Sequence, residues 1–399
     1  MAPVVWAHHD DGNYVGRPYT PYADFADKLV EAKAAGFGVI HWTTRPLDLY
    51  FTSLAEQVWQ ATENRPLRVT CEEMSERSFG AANRETMGKY LDHWVTDAPK
   101  IGRETSDFFI DRKLPDVEEV ASGAKSRGAL VEQALGKTTD PAAVERIRYF
   151  QGLERYLVDV HQTEAALNAA KAAFEAGDLG AARRAMESCR PEEVIERYAE
   201  FSKLGGLTRG EQGLIVSMNL RWLTHHVRFR QILGLEPVRY NFAATSHDPL
   251  AQSMGTFTFH FGPDKSVWQC LGARETGGTT FRVADDVEIA APAGADPAEV
   301  EICRTGVESE EPLVIRLGPI MAQDGRGRDQ PGSIPAGRYR LCLLMLEPTA
   351  TAAGQRVFDV AVTGSERKER VDVFQRAGGR HRIVKLCYPL EVGGSSSPE

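Results

Sequence analysis

Eight side chains near the start of the chain carry chemistry at a spacing that lets them act together. Trp6, His8, His9, Asp10 and Asp11 follow directly on the β-branched pair Val4-Val5, and His41, Trp42 and Arg45 follow directly on Val39-Ile40. An aspartate can act as acid, base or nucleophile, and an imidazole can donate or accept a hydrogen bond. A tryptophan offers a flat apolar platform, and an arginine grips a carboxylate with two parallel hydrogen bonds. Such a set suits a polar substrate met by hydrogen bonds and an aromatic face. Asp10 and Asp11 are the catalytic candidates, but adjacent residues of an extended strand point to opposite faces, so at most one of them serves. Trp6, His8, His9, His41, Trp42 and Arg45 are the substrate-binding candidates. The plain alternative is a polar loop with a tryptophan packed at the mouth of a core. No metal site and no cofactor is assigned, because adjacent histidines seldom share one ion and no H-x-H spacing is present.

The elements that must position these residues are two strands and a helix. Val4-Val5-Trp6 reads as a short strand and Phe37 to Trp42 as a second. Between them, Phe25, Leu29 and Ala32 recur at helical spacing from Tyr22 to Ala35, and Gly36 suits the position that ends such a helix. Strand, helix and strand in this order make one βαβ unit with parallel strands. In barrels of parallel strands the active site lies at the strands' C-terminal ends, where these eight residues fall.

Beyond this unit the texture changes twice. Residues 66–235 read as an all-α domain of about five to seven helices. The clearest runs from Asp140-Pro141, an N-cap followed by proline at the first helical position, through Val144, Ile147, Phe150, Leu153, Leu157 and Val160 to Gly177. Another runs from Thr208, with Glu211 at capping-box spacing, to Gly234. It places Trp222, His225 and Arg228 on one face, as a structural helix with buried ion pairs or, alternatively, as a cation donor to an acidic ligand. Residues 236–392 read as short β runs divided by Gly- and Pro-rich turns, a β-sandwich. The loop Thr245 to Gln252 joins the two regions and is a further candidate. Residues 393–399 are a Ser-rich tail. The fold class expected is therefore multidomain: a partial (β/α) barrel end over residues 1–65, a helical domain, and a C-terminal β-sandwich.

Composition narrows the partners. The chain has 399 residues, 42% hydrophobic and 26% charged, with a formal net charge of -9. A negative surface gives no electrostatic reason to bind nucleic acid or anionic membrane. No apolar run reaches bilayer length, and the N-terminus lacks a basic segment followed by a long apolar one. Six cysteines without CxxC spacing read as reduced, buried small hydrophobes, which makes the cytoplasm the expected compartment.

Two stretches resemble known families. Gly337-Arg338-Tyr339-Arg340-Leu341-Cys342-Leu343, Glu347, Gly354-Gln355-Arg356-Val357-Phe358-Asp359-Val360, Gly364 and Asp372-Val373-Phe374 with Ala377-Gly378-Gly379 resemble the core of a malectin-like domain. That resemblance implies a jelly-roll sandwich that binds sugar or supports an enzyme. It covers residues 337–392 well and 256–336 loosely, and it assigns no binding residues. The first 60 residues resemble the last two βα units of a TIM-barrel glycoside hydrolase of the α-glucuronidase-like or exo-glycosidase type. The motifs that carry this are Trp6-Ala7-His8-His9-Asp10 and His41-Trp42-Thr43-Thr44-Arg45. It implies a carbohydrate partner, an acidic or a hydroxyl-rich sugar, and a C-terminal portion of an exo-acting glycoside hydrolase. Six strands of such a barrel do not precede Val4, so the resemblance asks for a second chain or a homo-oligomer to complete it. The alternatives are a non-catalytic carbohydrate-binding or scaffold protein and a metal-dependent hydrolase.

Overall fold

The computed structural model describes residues 4–8, 25–40, 52, 55–56, 66–97, 116–207, 211–212, 214–215, 218–242, 251–254, 257–261, 267–271, 278–315, 320–323, 329–331, 336–363 and 368–393. Within it the chain forms two compact units, Met1–His226 and Val227–Glu399. The content is mixed, helical in the first unit and built of small, mostly antiparallel sheets in the second.

The first unit opens with β1 (Val4–His8), α1 (Phe25–Glu31) and β2 (Gly36–Ile40). The two strands pair in parallel, as the βαβ reading requires. The helix between them is shorter than its apolar spacing suggests. It stops at Glu31 and Lys33 takes a left-handed φ of 51°, so Lys33 makes the turn and Gly36 instead opens the second strand.

The helices that follow are α2 (Leu67–Phe79), α3 (Arg84–Asp97), α4 (Val117–Leu135), α5 (Pro141–Glu175), α6 (Leu179–Met186) and α7 (Pro191–Phe201). The spine is α5, and local chemistry sets both of its ends. Asp140 accepts from the Ala142 and Ala143 amides at 3.3 and 3.2 Å, Pro141 occupies the first turn, and Gly177 at φ 81° closes the far end. Its apolar stripe buries Ile147, Phe150, Leu153, Leu157 and Val160. Aromatic rings from its neighbours lock onto it: Tyr90 stands edge-on to Phe150 at 5.2 Å, and Tyr198 lies 4.8 Å from Tyr156.

One ion pair sits inside this packing. Arg127 of α4 donates Nε and Nη2 to Glu154 of α5, with Nη2 2.8 Å from Oε2, and both residues are about 5% exposed or less. Tyr90 Oη and Trp94 Nε1 of α3 donate to the same carboxylate at 2.9 and 3.1 Å. Burial raises the Glu154 pKa above the ordinary carboxylate value, against the opposing pull of Arg127, Tyr90 and Trp94. Three helices are thus tied to one carboxylate.

The single helix expected from Thr208 to Gly234 is divided. Met218–Leu223 is wound as a π-helix, and α8 (Thr224–Ile232) continues from it. Gly234 at φ 69° ends it, with the Leu235 amide bonded back to the Arg230 carbonyl at 2.8 Å. Thr208, the proposed cap, lies outside the described residues.

In the second unit a four-stranded sheet has the order β3 (Tyr240–Phe242), β6 (Val267–Leu271), β5 (Phe257–Phe261), β4 (Ala251–Met254). Antiparallel pairs join β7 (Thr279–Arg282) to β8 (Thr305–Glu308), and β9 (Ile320–Gln323) to β10 (Asp329–Pro331). The longest ladder joins β11 (Gly337–Leu346) to β14 (Ile383–Val392), and β12 (Val357–Ala361) pairs with β13 (Lys368–Asp372). A core of Val283, Ile289, Cys303, Leu346 and Ile383 packs beneath the long ladder. The Leu313 to Ile315 run, expected as a strand, is non-strand backbone with Val314 exposed.

These strands form neither a closed barrel nor a delineated malectin-like jelly roll among the described residues. Among the described residues the parallel pairs are β1 with β2 and β3 with β6, which belong to separate sheets, where a barrel of this kind takes eight strands in one; the antiparallel strands pair mostly with a single partner. The cysteines also depart from the expectation of reduced thiols. Cys71, Cys189 and Cys303 are free and buried, but Cys342 and Cys387 form a disulfide with their Cα atoms 4.1 Å apart. The cause is register: the two residues stand directly opposite each other in the β11–β14 ladder, on one face.

Candidate functional site

The parallel register of β1 and β2 sets the geometry of the strand-end candidates. Val4 stands opposite Gly36, Trp6 opposite Gly38, and His8 opposite Ile40. The strands therefore end side by side and at the same end. In sequence, His9, Asp10 and Asp11 come directly after β1, and His41, Trp42 and Arg45 come after β2. Trp6 and His8 belong to β1, and only their backbone is described. His9, Asp10, Asp11, His41, Trp42 and Arg45 lie outside the described residues, as does most of the loop from Thr245 to Gln252. The strand pairing thus brings the two candidate segments to one sheet end, and it says nothing of their side chains.

A second constellation lies within the helical bundle, and sequence reasoning caught only part of it. Glu164 of α5 is buried, and its Oε1 accepts from Trp222 Nε1 at 2.5 Å. His226 Nε2 lies 3.2 Å from the same oxygen, while His226 Nδ1 bonds the Trp222 carbonyl at 2.8 Å. Trp222 sits in the π-helical turn, and its ring meets the His226 ring edge-on at 4.9 Å. A π-turn is often found where a side chain must be aimed away from regular helical spacing. Cys189, between α6 and α7, has its sulfur 3.5 Å from the Thr163 carbonyl and interacts with His226. Burial alone would strip the proton from His226, but Cys189 and Glu164 outweigh it and push its pKa up to about 10. His161, one turn before Glu164, is the converse: burial lowers its pKa, although the Leu157 carbonyl and Glu164 work against this.

This thiol, imidazole and carboxylate resemble the parts of an activated nucleophile. They are enclosed: Glu164, Cys189 and His226 are each 3% exposed or less, and neither cavity identified in the fold opens on them. A group that no substrate can reach does no chemistry on one. The cluster is a buried ion pair that holds α8 and the π-turn to α5, which is the structural reading of that helix. Trp222 and His226 make it, whereas the spacing argument had put Trp222 with His225 and Arg228, whose side chains are not described. Among the described residues no group of three or more His, Cys, Asp or Glu side chains is placed to hold a metal ion. No helix among them is long and apolar enough to cross a membrane.

No protein-family model matches the chain, and no curated protein matches it. Among solved structures it is similar to BtGH115A, described as a family GH115 4-O-methyl-α-glucuronidase with specificity for decorated arabinogalactans, at 11% sequence identity and a TM-score of 0.32. The match covers 98% of this chain and 48% of that one, so the chain spans about half the length of that enzyme. A likeness of this size bears on neither fold nor activity.

Proposed function

We propose that the chain is carbohydrate-active and belongs to the C-terminal portion of an exo-acting glycoside hydrolase, with its sugar site at the ends of β1 and β2. The supporting observation is the parallel register that sets His8 beside Ile40. His9, Asp10 and Asp11 follow the one strand in sequence, and His41, Trp42 and Arg45 follow its neighbour, which supports a shared site at that end. In this reading Trp42 lies under the sugar ring, His8, His9 and His41 meet hydroxyls, Arg45 holds an acidic sugar's carboxylate, and Asp10 or Asp11 serves in proton transfer. Glycosidases commonly use two carboxyl groups, about 5 Å apart when retaining and about 6.5–9.5 Å apart when inverting. The second carboxylate is not assigned.

The test is turnover of aryl glycosides and aryl uronosides by the chain alone and co-expressed with its genomic neighbours. Asp10→Asn or Asp11→Asn, one of the two, is expected to lower kcat by about 10²–10⁴-fold. Arg45→Lys is expected to raise KM about tenfold for uronosides and leave neutral glycosides unchanged, since a lysine cannot make the bidentate contact. A folded protein without turnover in either arrangement sinks the enzyme. A second reading is non-catalytic sugar binding. It is supported if glycan binding survives Asp10→Ala while no turnover is found.

A further inference from the structure

One face of the β11–β14 ladder carries two cations that form no ion pair among the described residues. Arg338 and Arg340 alternate along β11, so both stand on the same face, about 6.6–6.8 Å apart along the strand. Both are exposed. Opposite them in register are Glu391 and Pro389 of β14, and the Cys342–Cys387 disulfide continues the same face. Arg338, Tyr339, Arg340, Cys387 and Pro389 line a shallow cavity of about 420 Å³.

Several other arginines of this unit are paired, while Arg239, Arg370, Arg380 and Arg382, like Arg338 and Arg340, form no ion pair among the described residues. Arg282 holds Asp285, Arg304 holds Glu301, Arg356 holds Glu308, and Arg376 holds Glu369. Arg338 and Arg340 form no ion pair among the described residues, and Glu391 makes none with Arg338 across the ladder. No carboxylate lines the cavity. In a chain of net charge -9, a recess lined by two guanidinium groups and no described carboxylate is locally cationic, even with Glu391 opposite Arg338 in the ladder. The floor beside them is apolar, made by a proline ring and a disulfide.

We propose that this face is an anion-binding subsite for an acidic glycan, one whose sugar rings bear carboxylate or sulfate groups. The class of ligand rests on the carbohydrate reading above, while the site itself rests on the arginine pair and the recess. A guanidinium presents paired N–H donors that match the oxygens of a carboxylate or sulfate. Two of them on one strand face can take successive acidic groups of a chain, or close on one group from two sides. The C–H face of a sugar ring fits the proline and disulfide floor. Contacts of this kind, half in solvent, weaken as salt shortens the screening length.

The experiment is calorimetric titration of the full chain, in an Arg45→Ala background so that the strand-end site does not contribute. The probes are tetragalacturonate, a sulfated tetrasaccharide, neutral cellotetraose and inorganic phosphate. Tetragalacturonate, the sulfated probe or both are expected to bind, more weakly as salt rises, and cellotetraose is not. Arg338→Ala with Arg340→Ala is expected to weaken binding about tenfold or more. The double lysine variant should recover part of the loss, because it restores charge without the paired donors. Unchanged thermal unfolding of these surface variants shows that the fold is intact. The inference is overturned if neither acidic tetrasaccharide binds, if the double alanine variant binds as well as its parent, or if phosphate alone binds as tightly as the oligosaccharides. Absence of aryl glycoside and uronoside turnover by the chain with Arg45 intact, with this binding retained, removes the hydrolase reading alone. Turnover without this binding removes the subsite alone.

Discussion

Glu154→Ala is expected to destabilise the helical bundle by about 3–5 kcal/mol, the range found when one partner of a buried ion pair is removed. The loss has two parts. Arg127 keeps its charge at 5% exposure, with the carboxylate that accepted from its Nε and Nη2 gone, and a buried unpaired cation is costly. Tyr90 and Trp94 lose their acceptor at the same time, leaving further buried donors unsatisfied. Urea unfolding followed by tryptophan fluorescence measures the change, with Trp94 as a reporter beside the lesion. The control is the double variant Glu154→Leu with Arg127→Met, which removes both charges and fills the space with apolar atoms. It should recover most of the loss, since well-packed apolar replacements of buried pairs are often neutral or stabilising. A single variant that loses less than about 1 kcal/mol would mean that the pair is open to water, contrary to its burial.

The second large effect is a pH slope. The His226 pKa is pushed to about 10 in the folded chain, against about 6.5 for an unfolded histidine. A raised folded value means that the folded state holds a proton that the unfolded state releases. The resulting stabilisation is fully present below about pH 6.5 and is lost as pH rises through the folded value. Between about pH 7 and about pH 10 its slope is about -1.4 kcal/mol per pH unit. Other groups titrate near the upper end, so the quantity to read is the difference from His226→Gln, which has no titrating imidazole. Stability curves of the two proteins should converge at alkaline pH and diverge toward pH 6. Parallel curves across that window would show that His226 is not held as a cation by Glu164.

Much of the helical region was legible because its signals are local. The Asp140-Pro141 start, the apolar repeat from Val144 to Val160 and the Gly177 stop lie within one element, and the structure reproduces them as α5. The βαβ reading succeeded for the same reason, although Lys33 rather than Gly36 makes the turn. The burial of Glu154 and Glu164 was missed because charged residues in a helix ordinarily read as its solvated face. A signal was nevertheless present. Phe150, Glu154, Leu157, His161 and Glu164 are spaced by four, three, four and three, so the acids lie on the apolar stripe itself. Their partners were not readable, since Trp222 is separated from Glu164 by 58 residues and is turned toward it by a π-helical winding that no local pattern announces. The antiparallel pairs were harder still, because register is decided across the sheet and not along the strand.

Register also has a consequence for where this chain can exist in the described form. Cys342 and Cys387 are joined because β11 and β14 place them face to face, and disulfides of this structural kind form and persist where thiols are oxidised. Glutathione and thioredoxin keep most cytosolic thiols apart. The expectation of a cytoplasmic protein and the cystine on this ladder therefore point to opposite compartments. Intact mass of the protein isolated under thiol-trapping conditions from its native source decides between them: the oxidised chain is two hydrogens lighter and takes up no label at either position.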